Sequence, residues 1–374
     1  MFTHAKRMTL VVAMALMVPV ASLGVVSSPA VAAPGGVFAV FAHCPLAAFR
    51  ALGIPPGAAK CGFHQLTSGE LVIGSMDVPI DRTITLQGGF IKDNPEDGNE
   101  YLAYPAEGAE SLSKTELAVP GGLSGLVDCG EIKGWGSRER YEQYACRALS
   151  FFDGTNGVTA TIESAASATN PLIYNEYNTI EEEGTAVTFP VRVHLKNPFL
   201  GASCYIGSEA SPLQLHLTTG ATSPPEGFKS IHGALGQVET LEEDGLLTVR
   251  TTGDSLVDNT FSAPVAEGCG ESFSSIIDPI LDSMVKLPSP AGHNTVILTG
   301  EARLATAEHV ETDEKYQAEV EAKKQQEEVE AKKKQEEEAK KRQEELEAKR
   351  THRKHWGHWP RRQAVHGQAH HGHW

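Results

Sequence analysis

Alternation of apolar and polar residues is clearest in Val187-Thr-Phe-Pro-Val-Arg-Val-His-Leu195. On an extended chain Val187, Phe189, Val191, Val193 and Leu195 share one face, and Thr188, Arg192 and His194 share the other. Pro190 has no amide hydrogen to give a ladder, so this strand is expected at a sheet edge or at a bulge. A second alternating run, Leu213-Gln-Leu-His-Leu217, follows a turn-rich stretch. Further strands are expected within 71–73, 83–87, 158–163, 246–251 and 295–298. The Gly, Pro, Ser and Asn clusters between them have the spacing of a sandwich or barrel. Residues 93–113 are acidic, glycine-rich and weakly periodic, which predicts a surface excursion. One helix is expected, capped by Asp278, with Pro279 first and Ile280, Leu281, Met284 and Val285 forming its apolar stripe. Lys286 would close it, where the helix dipole favours a cation.

At about residue 307 the pattern changes. Residues 307–350 hold no Gly or Pro and are dominated by Glu, Lys, Ala and Gln, all strong helix formers. Large apolar residues are few (Tyr316, Val320, Val329, Leu346) and keep no heptad, so a coiled-coil seam is not sustained. Eight Glu-to-Lys or Glu-to-Arg pairs at i,i+4, from Glu311–Lys315 to Glu345–Lys349, together contribute about 2–4 kcal/mol. A solitary charged rod is expected, monomeric, with a weak helix-mediated dimer as the alternative.

The first 32 residues carry the parts of an export signal: Lys6 and Arg7, an apolar run from Met8 to Val18, and Ala30-Val31-Ala32 as a cleavage site. The organisation read from this is a signal peptide at 1–32, an N-terminal β subdomain at 33–120 and a main β-sandwich domain at 121–306. A single helix at 307–350 and a disordered His-rich tail at 351–374 follow. The fold class is mainly β: an antiparallel, sandwich-like, disulfide-bonded body, then a long isolated charged helix and a disordered tail.

Export makes the six cysteines disulfide candidates. Sequence proximity pairs Cys44 with Cys61, Cys129 with Cys146 and Cys204 with Cys269, although six cysteines allow 15 pairings. None lies in a C-x-x-C pair, which argues against a zinc ribbon or a thioredoxin-like site.

Charge separates the parts further. Residues 33–306 hold 15 Lys+Arg against 33 Asp+Glu, residues 307–350 hold 11 against 15, and residues 351–374 hold four basic groups and no acid. So acidic a body repels phosphate, which excludes nucleic acid as a partner. The tail adds Trp356, Trp359 and Trp374 to His352, His355, His358, His366, His370, His371 and His373. Neutral imidazoles bind zinc, copper or nickel, so these seven are candidate ligands for an adventitious metal; no resident cofactor is expected. A cationic, aromatic tail also suits anionic cell-wall polymers or a membrane surface.

Catalytic patterns are weak. Ser111-Leu-Ser-Lys114 has S-x-x-K spacing without the S-D-N and K-T-G that accompany it. Gly122-Leu-Ser124-Gly125 lacks the second glycine of G-x-S-x-G. The acidic run from Asp93 to Glu100 has Pro95 and Tyr104 where a calcium loop needs ligands. His194 and His216 would form a two-histidine site only if their strands paired in register; exposed, unpaired histidines are the expectation.

Several stretches resemble a family of uncharacterised secreted proteins of actinobacteria and their relatives. They include Thr85-Leu-Gln-Gly-Gly89, Val119-Pro-Gly-Gly-Leu123, Asn197-Pro-Phe-Leu-Gly201 with Cys204-Tyr-Ile-Gly207, Gly268-Cys-Gly270 and Leu287-Pro-Ser-Pro-Ala-Gly-His-Asn294. The resemblance covers most of residues 37–306 and implies export and a disulfide-bonded β fold. No activity is assigned to that family, so no functional residue carries over. The rod and tail depart from its pattern. The expectation is a secreted, non-enzymatic surface or cell-wall-associated binding protein. The alternatives are a metal-binding extracellular protein acting through the tail and a hydrolase with an unrecognised site.

Overall fold

The computed structural model describes residues 33–92, 100–125, 140 and 157–356. The fold is mainly antiparallel β. Fourteen strands are found among the described residues: β1 Ala59–Ile73, β2 Met76–Pro79, β3 Ile84–Lys92, β4 Glu100–Pro105, β5 Leu117–Val119, β6 Val158–Ser164 and β7 Ile173–Asn175; then β8 Val187–Asn197, β9 Gly201–Ile206, β10 Leu213–Leu217, β11 Gln237–Glu243, β12 Leu246–Asp258, β13 Ala266–Glu267 and β14 Thr295–Thr306. The helices that matter below are α1 Leu46–Ala51, α2 Glu176–Glu181, α3 Ser274–Val285 and α4 Ala307–Trp356.

The strands join in the order β11-β12-β14-β1-β3-β4-β7-β8-β6-β5, with β2 on β1, β9 and β10 on β8, and β13 on β9. Strands from both sides of residue 121 hydrogen-bond into this one network. The expected division into bodies at 33–120 and 121–306 therefore does not separate the strands. Nor is residues 93–113 wholly a surface excursion: β4 lies within it, between β3 and β7, because Tyr101 is buried there at 3% exposure.

The network bends at one level. Opposite β14, β1 slips by one residue between Leu66 and Ser68, and β12 slips between Thr252 and Asp254. Such bulges insert an unpaired residue and sharpen the local twist. Gly253 supplies the extra residue in β12 at φ +70°, a conformation that favours glycine. Gly300 of β14 faces both slips, and a Cβ there would lie 2.1 Å from the carbonyl oxygen of Gln65.

The two faces of the sheet carry two apolar clusters. The larger gathers Leu66, Leu71 and Ile73 of β1, Val193 and Leu195 of β8, Leu213 and Leu215 of β10, Val296 and Leu298 of β14, and Leu281 and Val285 of α3. The smaller lies on the opposite face of β1, where Cys61 and Ala305 meet Phe38, Phe41, Phe49 and the first turns of α4. At 25 cal/mol per Å² of apolar area, each fully buried large side chain contributes about 1.5–3 kcal/mol. A disulfide sits in each cluster: Cys44–Cys61 in the smaller and Cys204–Cys269 in the larger. Their presence fits an extracellular or otherwise oxidising environment. No helix among the described residues is long and apolar enough to cross a membrane.

Three local expectations are corrected. Strand β8 is central, with β6 and β7 on one side and β9 and β10 on the other. Pro190 is tolerated because its carbonyl accepts from the Ala165 N–H at 2.9 Å, which places its missing donor on the side where β7 ends and β6 begins. Helix α3 begins at Ser274 and holds Pro279 inside it; Asp278 instead accepts from the backbone N–H of Cys269 at 2.7 Å, steadying the disulfide loop. Helix α4 is docked at its start: Ala307, Val310 and Asp313, spaced three apart, are buried on one face. Asp313 accepts from the Gly35 N–H at 2.8 Å, and Glu311 pairs with Arg50 at 3.0 Å. From Glu319 to Arg353 every side chain is exposed, so the free rod starts only there and runs about 50 Å at 1.5 Å per residue.

Gly300→Ala should lower stability by about 2–3 kcal/mol in urea unfolding, since backbone rather than a flexible side chain must yield. Burial, set against Arg50 and reinforced by Glu311, Glu107 and Asp313, raises the Glu314 carboxyl from 4.5 to about 7. Its contribution to stability is thus fully present below about pH 4.5 and is lost as pH rises through about 7. The melting temperature should fall over that window, and Glu314→Gln should flatten the fall.

Candidate functional site

On the face of the sheet that carries the larger cluster, the apolar interior does not end at the protein surface. It continues into a cleft of about 960 Å³. The floor is formed by Leu86, Leu112, Leu172 and Leu256, of which Leu112, Leu172 and Leu256 belong to the cluster and Leu86 packs against it. The chain segments at 110–114 and 163–172 contribute to the rim.

An aromatic wall rises at the β3–β4–β7 side. Register places Phe90, Tyr101 and Tyr174 on the cleft face, with Phe90 5.5 Å and Tyr101 6.2 Å from Tyr174, centroid to centroid. Burial pushes the Tyr174 phenol well above its ordinary value, with Glu176 adding to the rise. Gly62 is required beside this wall, since a Cβ there would meet the Phe90 ring at 2.3 Å. Behind it Lys60 lies over the Tyr101 ring and pairs with Glu176 of α2 at 2.5 Å.

The opposite wall is polar. His64 pairs with Ala302, and Ala302 with Thr251, so these three residues point the same way across β1, β14 and β12. Without the bulge at Gly253, Asp254 would point to the other face; the extra residue turns it to the cleft. His64 Nε2 then lies 2.8 Å from Asp254 Oδ2, with side chains 14% and 7% exposed. The approach is close but poorly directed, because His64 Nε2 and Asp254 Oδ1 are both buried without a hydrogen-bond partner among the described residues.

At the rim charges are matched. Lys114 pairs with Glu110 at 2.9 Å, and Arg192 Nη2 approaches Glu163 at 3.0 Å with Glu209 at 3.6 Å. Glu110 holds the Lys114 ammonium above its ordinary pKa. His194 is the clearest departure from expectation. It is 8% exposed, contacts Glu163 at 3.2 Å and the Ala202 carbonyl at 3.0 Å, and stacks on Tyr205 at 4.4 Å. Strand register, not periodicity, explains this: β9 covers His194, whereas His216 on β10 stays exposed opposite Thr188. The two histidines form no joint site.

Other sequence candidates resolve individually. Ser111 Oγ accepts from the Ala106 N–H and Ser113 Oγ from the Thr85 N–H, each at 2.9 Å, so both hydroxyls support local structure. Cys129 and Cys146, and Asp93 to Asn99, lie outside the described residues. So do His358, His366, His370, His371 and His373 and the side chain of His355; His352 is exposed on the last turns of α4. Among the described residues no group of three or more His, Cys, Asp or Glu side chains could hold a metal ion. The sequence reading missed His64, Asp254, Phe90 and Tyr174. The one available signal was Gly253 inside an otherwise strand-like run, where glycine marks a bulge.

Comparison with known proteins finds no matching family model, no similar curated protein and no similar solved structure. The likeness to secreted actinobacterial proteins therefore rests on the quoted residues alone. Glu163→Ala should cost about 1–3 kcal/mol in chemical unfolding, because it strips a partner from Arg192 and from the buried His194.

Proposed function

We propose that this chain is a secreted, non-enzymatic binding protein whose β body takes the apolar part of a small amphipathic molecule into the cleft. The observation that carries the reading is the cleft itself: a mostly apolar concavity continuous with the core, with a few placed polar groups. That combination is what small-molecule sites present. The disulfides and the export-signal pattern support delivery to the cell exterior. In the same reading the exposed part of α4 spaces the acidic body from the basic tail, and the tail engages anionic wall polymers or a membrane surface.

A hydrolytic function has one observation in its favour, the His64–Asp254 pair, since such pairs orient general bases. Among the described residues, however, no Ser, Thr or Cys hydrogen-bonds His64. Turnover of a nitrophenyl ester that His64→Ala abolishes would replace binding with catalysis.

The binding reading is tested with full-length protein and an environment-sensitive apolar fluorophore such as N-phenylnaphthylamine. Ala302 lies on the cleft face, half-buried. Ala302→Trp should obstruct the cleft and weaken binding at least about tenfold, the effect of removing roughly 1.4 kcal/mol, with the circular dichroism spectrum unchanged. Equal binding by both proteins would place the fluorophore elsewhere and remove the support for a cleft ligand.

A further inference from the structure

Resting on the proposal that the cleft holds an amphiphile, we infer that it selects one whose polar end donates hydrogen bonds, an amine or an alcohol, and disfavours one ending in a carboxylate. Asp254 is the selecting residue.

The inference comes from an inventory of polar capacity around the cleft. An ionised carboxylate offers about four lone-pair sites and no donor. Asp254 is 5% exposed, yet its Oδ1 has no partner and its Oδ2 meets only the imidazole edge of His64. Buried polar groups are almost always satisfied, and one left unsatisfied costs about 1–3 kcal/mol. Neighbouring charges give no relief, because the cations that line the cleft are already matched: Lys114 by Glu110, Arg192 by Glu163, and Arg303 by Glu301 at 2.8 Å. Besides the His64 Nε2 ring nitrogen, the unused capacity in this wall is the acceptor Asp254 Oδ1. An incoming N–H or O–H satisfies it. An incoming carboxylate brings a second acceptor to the same place and finds no unmatched Lys or Arg among the described lining residues.

The surroundings suit the rest of such a ligand. Beyond the His64–Asp254 wall the cleft face presents Leu86, Leu256 and Phe90, which hold an alkyl or ring body with its polar end against the carboxylate. The placement is a built feature of the fold. Without the extra residue at Gly253, strand alternation would turn the Asp254 side chain away from the cleft.

The experiment uses full-length protein at pH 7.5 and measures displacement of N-phenylnaphthylamine by four twelve-carbon chains: dodecylamine, dodecanol, dodecanoate and dodecyltrimethylammonium. The amine and the alcohol should bind at least about tenfold more tightly than the carboxylate, the size expected of one buried hydrogen bond to a charged group. The trimethylammonium chain, a cation with no donor, should bind more weakly than the amine. Asp254→Asn should bring the amine-to-carboxylate ratio close to one. Dodecanoate or the trimethylammonium chain binding as tightly as dodecylamine overturns the inference, and so does a ratio that Asp254→Asn leaves unchanged. If Asp254→Asn does not fold, the wild-type ratios decide the question alone. Failure of the cleft reading looks different: all four chains displace the fluorophore equally from wild type and from Ala302→Trp, or none displaces it.

Discussion

Both neighbours of β14 carry an extra residue at the same level, and Gly300 sits between them with no room for a side chain. A flat sheet of this size would leave one broad face to solvent, and sheets of more than about ten strands curl or split. Here the paired bulges allow strands β12, β14 and β1 to serve two apolar clusters on opposite faces. One is closed by Phe38, Phe41 and the first turns of α4, and the other by β8, β10 and α3. The cleft is the open end of the second cluster. Removing the slip at Thr252–Asp254 would turn Asp254 away from His64 and alter the polar wall, so fold and site share one geometric cause.

The disulfides act at the ends of this arrangement. Cys44–Cys61 ties the N-terminal segment to the start of β1, beneath α4. Cys204–Cys269 ties β9 to the loop that Asp278 and Asp282 hold through backbone N–H groups at 2.7 Å. Burial raises the Asp282 carboxyl, and the Ala266 N–H opposes that rise. In the chain-entropy account each bridge contributes about 3–4 kcal/mol by restricting the unfolded chain. None of the four cysteines lines the cleft.

Charge is distributed with the same economy. Arg192–Glu163 at the rim and Lys60–Glu176 beside the aromatic wall are strengthened by partial burial, whereas Lys114–Glu110 and the rod keep their charges in water. Among the eight i,i+4 pairs of the rod, Glu311–Lys315 closes to 3.4 Å, on the docked part of α4 where Glu311 also meets Arg50. Exposed pairs contribute little individually, so helical propensity sustains the free length.

Taken by itself, the sequence determined what depends on near neighbours. The two faces of β8, the extent of β10 and the helical stretch beyond residue 307 follow from local periodicity or propensity, whereas Cys44–Cys61 and Cys204–Cys269 are pairs that proximity suggested among 15 possible pairings and the structure shows. Helix α3 was legible as a helix, but its start was not, because Asp278 is drawn to the backbone of Cys269. Tertiary structure alone decided that β8 is central, that His194 is covered by β9, that α4 is docked at its root, and that His64 meets Asp254. The reason is common to all four. Each depends on which elements pack or pair together, and for His64 and Asp254 a slip of one residue reverses which face a side chain occupies. No local pattern encodes where such slips fall, apart from the glycines that permit them.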